Sequence, residues 1–177
     1  MSDLDQLLHE LLTPLSTLLL WEEILRTTDE PVRQAEAIAA IRASAQLQAR
    51  LIGDMRELDR ARRGALELAP TRVAADELVR AAIARRSEPV RATLVRDAWL
   101  HADAPRLGRA LDRLLEPPGE LALELAVDGE HVVVALRGAP FAPAIGHAFA
   151  RAIVELHGGT LSGTGTSAVE IRLPRST

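Results

Sequence analysis

Along the first 63 residues the leading apolar positions are Leu4, Leu8, Leu11, Leu15, Leu18 and Leu25, a four-three-four-three spacing interrupted only by Glu22. That spacing gathers the leucines into a narrow stripe on one face of an amphipathic helix. A short break over residues 27–31 follows. A second helical pattern then appears in Ile38, Ile41, Ala45, Ile52 and Met55, with Leu51 and Leu58 on its flank, and ends near Gly64. So short a connection predicts two long antiparallel helices. A lone hairpin leaves each stripe half covered, whereas a second copy across a twofold axis would bury both in a four-helix bundle. The expectation is a homodimer.

Beyond residue 63 the rhythm changes. Glycine and proline, confined to Pro14, Pro31 and Gly53 within residues 3–63, become frequent, which predicts a boundary between a hairpin at 1–63 and a second domain at 64–177. Leu66, Leu68 and Pro70 open that domain, followed by a helix over 74–86, a short strand over 92–95 and a helix over 105–115. Two alternating segments, 121–127 and 131–136, are joined by Asp128-Gly129, a strong hairpin signal. A last helix over 146–156 leads through His157-Gly158-Gly159 into short strands at 160–161 and 168–173. Helices covering one face of a mixed sheet make the fold class α+β.

Composition narrows the chemistry. The 177 residues are 47% apolar, enough for a core, and 21 basic against 25 acidic residues leave a net charge of -4. Nucleic acid is not an expected partner, because no basic surface is indicated and only Trp21, Trp99, Phe141 and Phe149 are aromatic. With no cysteine there are no disulfides, thiolate metal sites or Cys nucleophiles, and a cytoplasmic setting is expected. The acidic start and the lack of an apolar run approaching about 20 residues predict neither signal peptide nor membrane association.

The candidate chemistry centres on His9. At about 100° per residue, His9 lies roughly 140° and Thr13 about 180° from the leucine stripe, so both are expected to face water. Pro14 removes the donor for the Glu10 carbonyl and loosens that turn. An isolated surface histidine commonly has no task. Its setting is His9-Glu10-Leu11-Leu12-Thr13-Pro14-Leu15, which resembles the phosphoacceptor box of sensor histidine kinases; Leu12 departs, standing where that family has a basic or polar residue. Leu51-Ile52-Gly53-Asp54-Met55 is similar to the family's leucine-isoleucine-x-aspartate segment, and the resemblance spans residues 3–63. It implies His9 as phosphoacceptor, Glu10 as general base or orienting acceptor, and Thr13 as a residue that orients water or a carboxylate in a phosphatase back-reaction. The chemistry is coherent, since a neutral imidazole attacks phosphorus when its other ring nitrogen is held as a donor. An ordinary exposed acid at Glu10 and a solvent-facing helix residue at Thr13 stay open alternatives.

Residues 66–174 resemble the same family's ATP-binding domain. Arg151-Ala152-Ile153-Val154-Glu155-Leu156-His157-Gly158-Gly159 is similar to its helix and turn after the nucleotide lid. Gly163-Thr164-Gly165-Thr166 and the strand after it are similar to its closing turn. The ligand-bearing positions depart from the pattern. Arg113 and Pro117 stand where the family has asparagines, and Leu136-Arg137-Gly138-Ala139-Pro140 stands where it has Asp-x-Gly-x-Gly. Little room for a phosphate lid is left between Gly138 and Ala144, and only Gly146 remains of the glycines after it. The second domain is therefore expected to be a degenerate, ATPase-like α/β sandwich that binds ATP poorly or not at all. Asp112 and Glu116, one turn apart, form a weak candidate cation pair whose ordinary reading is a solvated helix face. His101, His131 and His147 lack ligand spacing, and His157 is expected to cap a helix end as a cation.

The resemblance thus implies a histidine phosphotransfer protein that shuttles a phosphoryl group between a receiver-domain aspartate and His9. No cofactor is expected on this chain, magnesium being contributed by the receiver. Expected partners are a second copy, response-regulator receiver domains and a hybrid histidine kinase, with docking near Ser16, Leu20 and Arg50. Two alternatives stand beside it: a divergent sensor kinase that phosphorylates itself from ATP, and a non-catalytic scaffold that binds a response regulator.

Overall fold

The leucine-rich stripe and the pattern after it form α1 (Asp3–Thr27) and α2 (Pro31–Arg62). The computed structural model describes residues 3–116, 118–138, 145–163 and 167–176, with the backbone alone for residues 3–7. Pro31 opens α2 at its first position, where the missing N–H costs nothing and the fixed φ suits a helix. Gly64, at φ 66°, closes it: its N–H bonds the Ala61 carbonyl at 3.0 Å while Ala65 N–H reaches back to Arg60 at 2.8 Å. That is a Schellman end, and it requires a residue free to adopt the left-handed region.

The chain divides into two compact units, Met1–Glu57 and Leu58–Thr177. In the first, α2 turns inward a face on which Ala37, Ser44 and Leu51 recur every seventh residue, Ala37 and Ser44 being buried and Leu51 half-buried. From α1, Pro14 is buried, and Leu11, Leu18, Trp21 and Leu25 are half-buried. The expected stripe is therefore split. Leu8 and Leu15 are exposed and share a second apolar stripe with Leu12 and Leu19, which are 55% and 58% exposed. The physical reason is the width of the leucine pattern, which wraps further round the helix than one partner helix can cover.

The second unit is an α/β sandwich built from β1 (Thr71–Ala74), α3 (Ala75–Arg85), β2 (Val90–Leu94), β3 (Trp99–Ala102), α4 (Ala104–Leu114), β4 (Leu121–Asp128), β5 (His131–Arg137), α5 (Ile145–Leu156), β6 (Thr160–Ser162) and β7 (Ala168–Pro174). The main sheet runs β2-β4-β5-β7-β6, with β2 parallel to β4 and the other pairs antiparallel. Alternate residues of its strands, including Leu121, Leu123, Leu125, Val134, Leu136 and Ile171, join Val79, Leu107, Leu111, Phe149 and Ile153 of the helices in one core. Gly129 takes φ 58° in the two-residue turn that sets Asp128 opposite His131.

Two features differ from the sequence expectation. β2 begins at Val90, two residues earlier, because it pairs with β4 residue for residue from Val90 opposite Leu121. A two-stranded antiparallel sheet of β1 and β3 was not expected at all. Its strands are four residues each, too short for alternation to emerge from their surroundings, and pairing across the fold is what makes them strands.

Candidate functional site

His9 is exposed in the second turn of α1 with Thr13 exposed one turn later, and Glu10 is half-buried between them and the intrachain face. The leucines that set the helix phase therefore put the imidazole in water, as the wheel requires. The turn is chemically distinctive in its backbone as well. Thr13 donates its hydroxyl to the His9 carbonyl at 2.8 Å, and Thr17 donates likewise to Thr13 at 3.0 Å. Pro14 lies between them and has no N–H for the Glu10 carbonyl. Back-bonding hydroxyls and a proline both open the convex side of a helix, so the turn that carries His9 sits on a softened stretch of α1. The single Thr13 proton is committed to the backbone; the hydroxyl faces a ligand as an acceptor unless it rotates. Asp54, on the opposite helix, is 1% exposed within its unit.

In the sandwich, Arg113 lies almost buried on α4. Its stem crosses Gly146 so closely that a β-carbon there would come within 2.8 Å of Cδ, and its guanidinium pairs with Glu116 at 2.8 Å. One turn earlier, Arg109 lies 5.2 Å above the Phe149 ring. Two arginines of α4 thus cover the start of α5. Leu136 is wholly buried in the apolar core. Gly138 bonds Ser167 at 3.0 Å, and a β-carbon on it would collide with Leu121.

Each carboxylate of the candidate cation pair has an arginine partner. Asp112 is held by Arg85 through contacts of 2.8–3.1 Å, and Glu116 by Arg113. Among the described residues no group of three or more His, Asp or Glu could hold a metal ion. His101 and His131 are exposed, while His147 is buried. Burial, and then the charge of Arg151, push the His147 imidazole below its ordinary pKa. His157 caps the end of α5, as expected, through the Ile153 carbonyl in its last turn. Its Nε2 accepts the N–H of Asp103 at 2.9 Å, so that nitrogen has no proton, and Nδ1 donates to the Ile153 carbonyl at 2.7 Å.

Residues 4–64 match the His Kinase A (phospho-acceptor) domain family. The matched stretch includes His9, Glu10 and Thr13 and amounts to about a third of the chain. No curated protein matches the sequence. Among solved structures, the histidine kinase AdeS of Acinetobacter baumannii shares the fold over 96% of this chain and 98% of its own, with a TM-score of 0.68 and 16% identity. Full-length ShkA, solved with AMPPNP, matches over 98% of this chain and 46% of its own, with a TM-score of 0.59 and 18% identity. The catalytic domain of the histidine kinase ThkA matches over 61% of this chain and 98% of its own, with a TM-score of 0.52 and 18% identity.

The order of elements, a hairpin matching the His Kinase A model and then an ATPase-like sandwich, is the fold these histidine kinase structures share with this chain. No described helix is long and apolar enough to cross a membrane. Of the positions where the sequence departs from the kinase pattern, Arg113, Leu136 and Gly138 are placed as above; Pro117, Ala139, Pro140, Phe141 and Ala144, together with residues 164–166 of the closing turn, lie outside the described residues. Sequence reasoning missed Asp103, which caps α4 and meets His157, although an Asp before Ala-Pro at a helix start is a recognisable N-cap signal. It also missed Leu12 and Leu19, whose seven-residue spacing marks the second stripe.

Proposed function

We propose that this protein is a cytoplasmic histidine phosphotransferase that exchanges a phosphoryl group between His9 and the aspartate of a receiver domain. A bare ring nitrogen of His9 attacks phosphorus, the acyl phosphate P–O bond breaks, and the receiver carboxylate leaves; the reverse step returns the group. Glu10 accepts a hydrogen bond or the proton from the other ring nitrogen, which keeps the attacking atom nucleophilic. Magnesium comes with the receiver's acidic pocket, and this chain binds no cofactor of its own. Thr13, with its hydroxyl on the His9 carbonyl, positions the turn and accepts from an incoming water, or rotates off that carbonyl to donate to a carboxylate.

The observation that carries this reading is the contrast between a water-facing His9 in an intact His-Glu-x-x-Thr-Pro box and a sandwich in which Arg113 and Leu136 stand at the departing positions. The apolar stripes of Leu8, Leu12, Leu15 and Leu19 on α1 and of Ile38, Ala45 and Ile52 on α2 are then the seam with a second copy. Leu20, 60% exposed and about 20° from His9 on the helix at about 100° per residue, belongs to the receiver-facing side. Whole-length likeness to a histidine kinase favours a second reading, self-phosphorylation from ATP.

One experiment separates them. Purified protein is incubated with magnesium and γ-labelled ATP, and in parallel with a phosphorylated receiver domain. Label from the receiver alone, lost in His9→Ala while the protein stays folded, is the expected result. Label from ATP that disappears in His9→Ala would establish the kinase, and receiver binding indifferent to His9→Ala would establish a scaffold.

A further inference from the structure

The segment that leaves α2 is fixed to the sandwich at two points. Leu66 is buried in its core, and the N–H of Ala69 donates to Asp103 Oδ2 at 3.1 Å. Asp103 is 3% exposed and stands at the N-cap of α4, where Oδ1 accepts the Arg106 N–H at 3.1 Å and Oδ2 pairs with the Arg106 guanidinium. Burial by itself would raise the pKa of this carboxyl. The backbone donors of Ala69 and Arg106 and the guanidinium outweigh it and hold the group below its ordinary value, ionised.

The other polar end of Asp103 looks the opposite way. Its N–H donates to His157 Nε2, and His157 Nδ1 bonds the carbonyl of Ile153 in the last turn of α5. A single run of hydrogen bonds therefore links residue 69 to the start of α4 and the end of α5. Every member but the His157 ring is fixed by backbone or by a caged carboxylate. The ring is the member whose hydrogen-bonding sense can change, because only one of its two tautomers presents a bare Nε2.

We propose that Asp103 and His157 form a latch that fastens the strap of residues 66–70 to the ends of α4 and α5, with the His157 proton held on Nδ1. Whatever displaces the last turn of α5 then withdraws the acceptor from Asp103 and loosens the strap. This device goes beyond the reading of His9 and stands whether or not His9 carries phosphate.

Amide hydrogen exchange on the full chain tests it. In His157→Phe the Asp103 amide loses its acceptor, and exchange at Asp103 and Ala69 should quicken by about two- to tenfold, the worth of one net hydrogen bond. Amides of Val134 and Ile171 in the sheet should hold their rates and report an intact core. His157→Gln puts an acceptor oxygen near the place of Nε2 and should restore most of the protection. Unchanged exchange at Ala69 in His157→Phe, or a His157→Gln as fast as His157→Phe, would overturn the latch. If His157→Phe does not fold, ring nitrogen NMR of the unaltered protein decides: a protonated Nδ1 with a bare Nε2 supports the latch, and the opposite tautomer or an imidazolium at neutral pH refutes it.

Discussion

The hairpin unit and the sandwich treat their apolar residues in opposite ways. Of the ten large hydrophobic side chains exposed among the described residues, eight lie on α1 and α2 and only Val95 and Leu156 lie in the sandwich. The sandwich has converted its leucines, valines and isoleucines into one closed core, whereas the hairpin keeps two open stripes beside an exposed imidazole. Burial of an apolar side chain is worth about 1.5–3 kcal/mol, so open stripes of this size are a standing drive toward association. A fold that closes its own core has been joined to a part that leaves apolar surface open.

The sharpest way to break that contrast is to charge the open stripe. In Leu12→Glu with Leu19→Glu, two carboxylates would enter the seam of the expected dimer, each costing several kcal/mol if buried unpaired. Sedimentation should show the dimer dissociating by at least about a hundredfold in affinity. A dimer that survives the double charge would place its seam elsewhere. Charging Leu156 in the sandwich should leave the oligomeric state unchanged.

The converse perturbation belongs in the closed core. Phe149→Ala should destabilise the sandwich by about 3–5 kcal/mol through lost transfer energy and the cavity left behind. Trp99 fluorescence in a Trp21→Phe background would follow urea unfolding of that unit, since Trp21 and Trp99 fall in different units. Hairpin helicity and label accepted at His9 should persist if the two parts depend on different surfaces. A smaller loss, about 1–3 kcal/mol, is expected for Asp103→Asn, which removes the charge that Arg106 and Ala69 bond.

What was legible in the sequence follows the same division. The hairpin could be read because a long repeat of leucines fixes the phase of α1, and the phase fixes where His9 and Thr13 point. Asp128-Gly129 and the alternation on either side of it placed β4 and β5 for an equally local reason. β1 and β3 were invisible, since four residues stabilised by a partner nearly thirty positions away leave no local signature. The partners of Asp112, Glu116 and His157 could not be read for one reason: Arg85, Arg113 and the Asp103 N–H reach them from elsewhere in the chain or across a helix turn, and composition cannot show which donors arrive. Leu12 and Leu19 were in plain view but lay off the stripe that seemed sufficient for a helix.

The mildest test uses acid on the closed unit. His147 is buried, its Nε2 finds no hydrogen-bond partner among the described residues, and its pKa is lowered from 6.5 by burial and by Arg151. In the unfolded chain the ring takes up a proton near pH 6.5, while the folded protein resists it. Proton uptake by the unfolded state alone lowers stability as pH falls through that value, at a slope of at most about 1.4 kcal/mol per pH unit, until the folded ring titrates too. Asp103 adds its own loss only further down, as pH drops below the ordinary carboxyl value of 3.8. His147→Leu should therefore flatten the urea stability of the sandwich between pH 7.5 and 5.5. At pH 7.5 it should be neutral or slightly stabilising, because an unbonded buried nitrogen is exchanged for carbon. A slope unchanged by His147→Leu would assign the acid response to another group and leave the sandwich core without a titrating member.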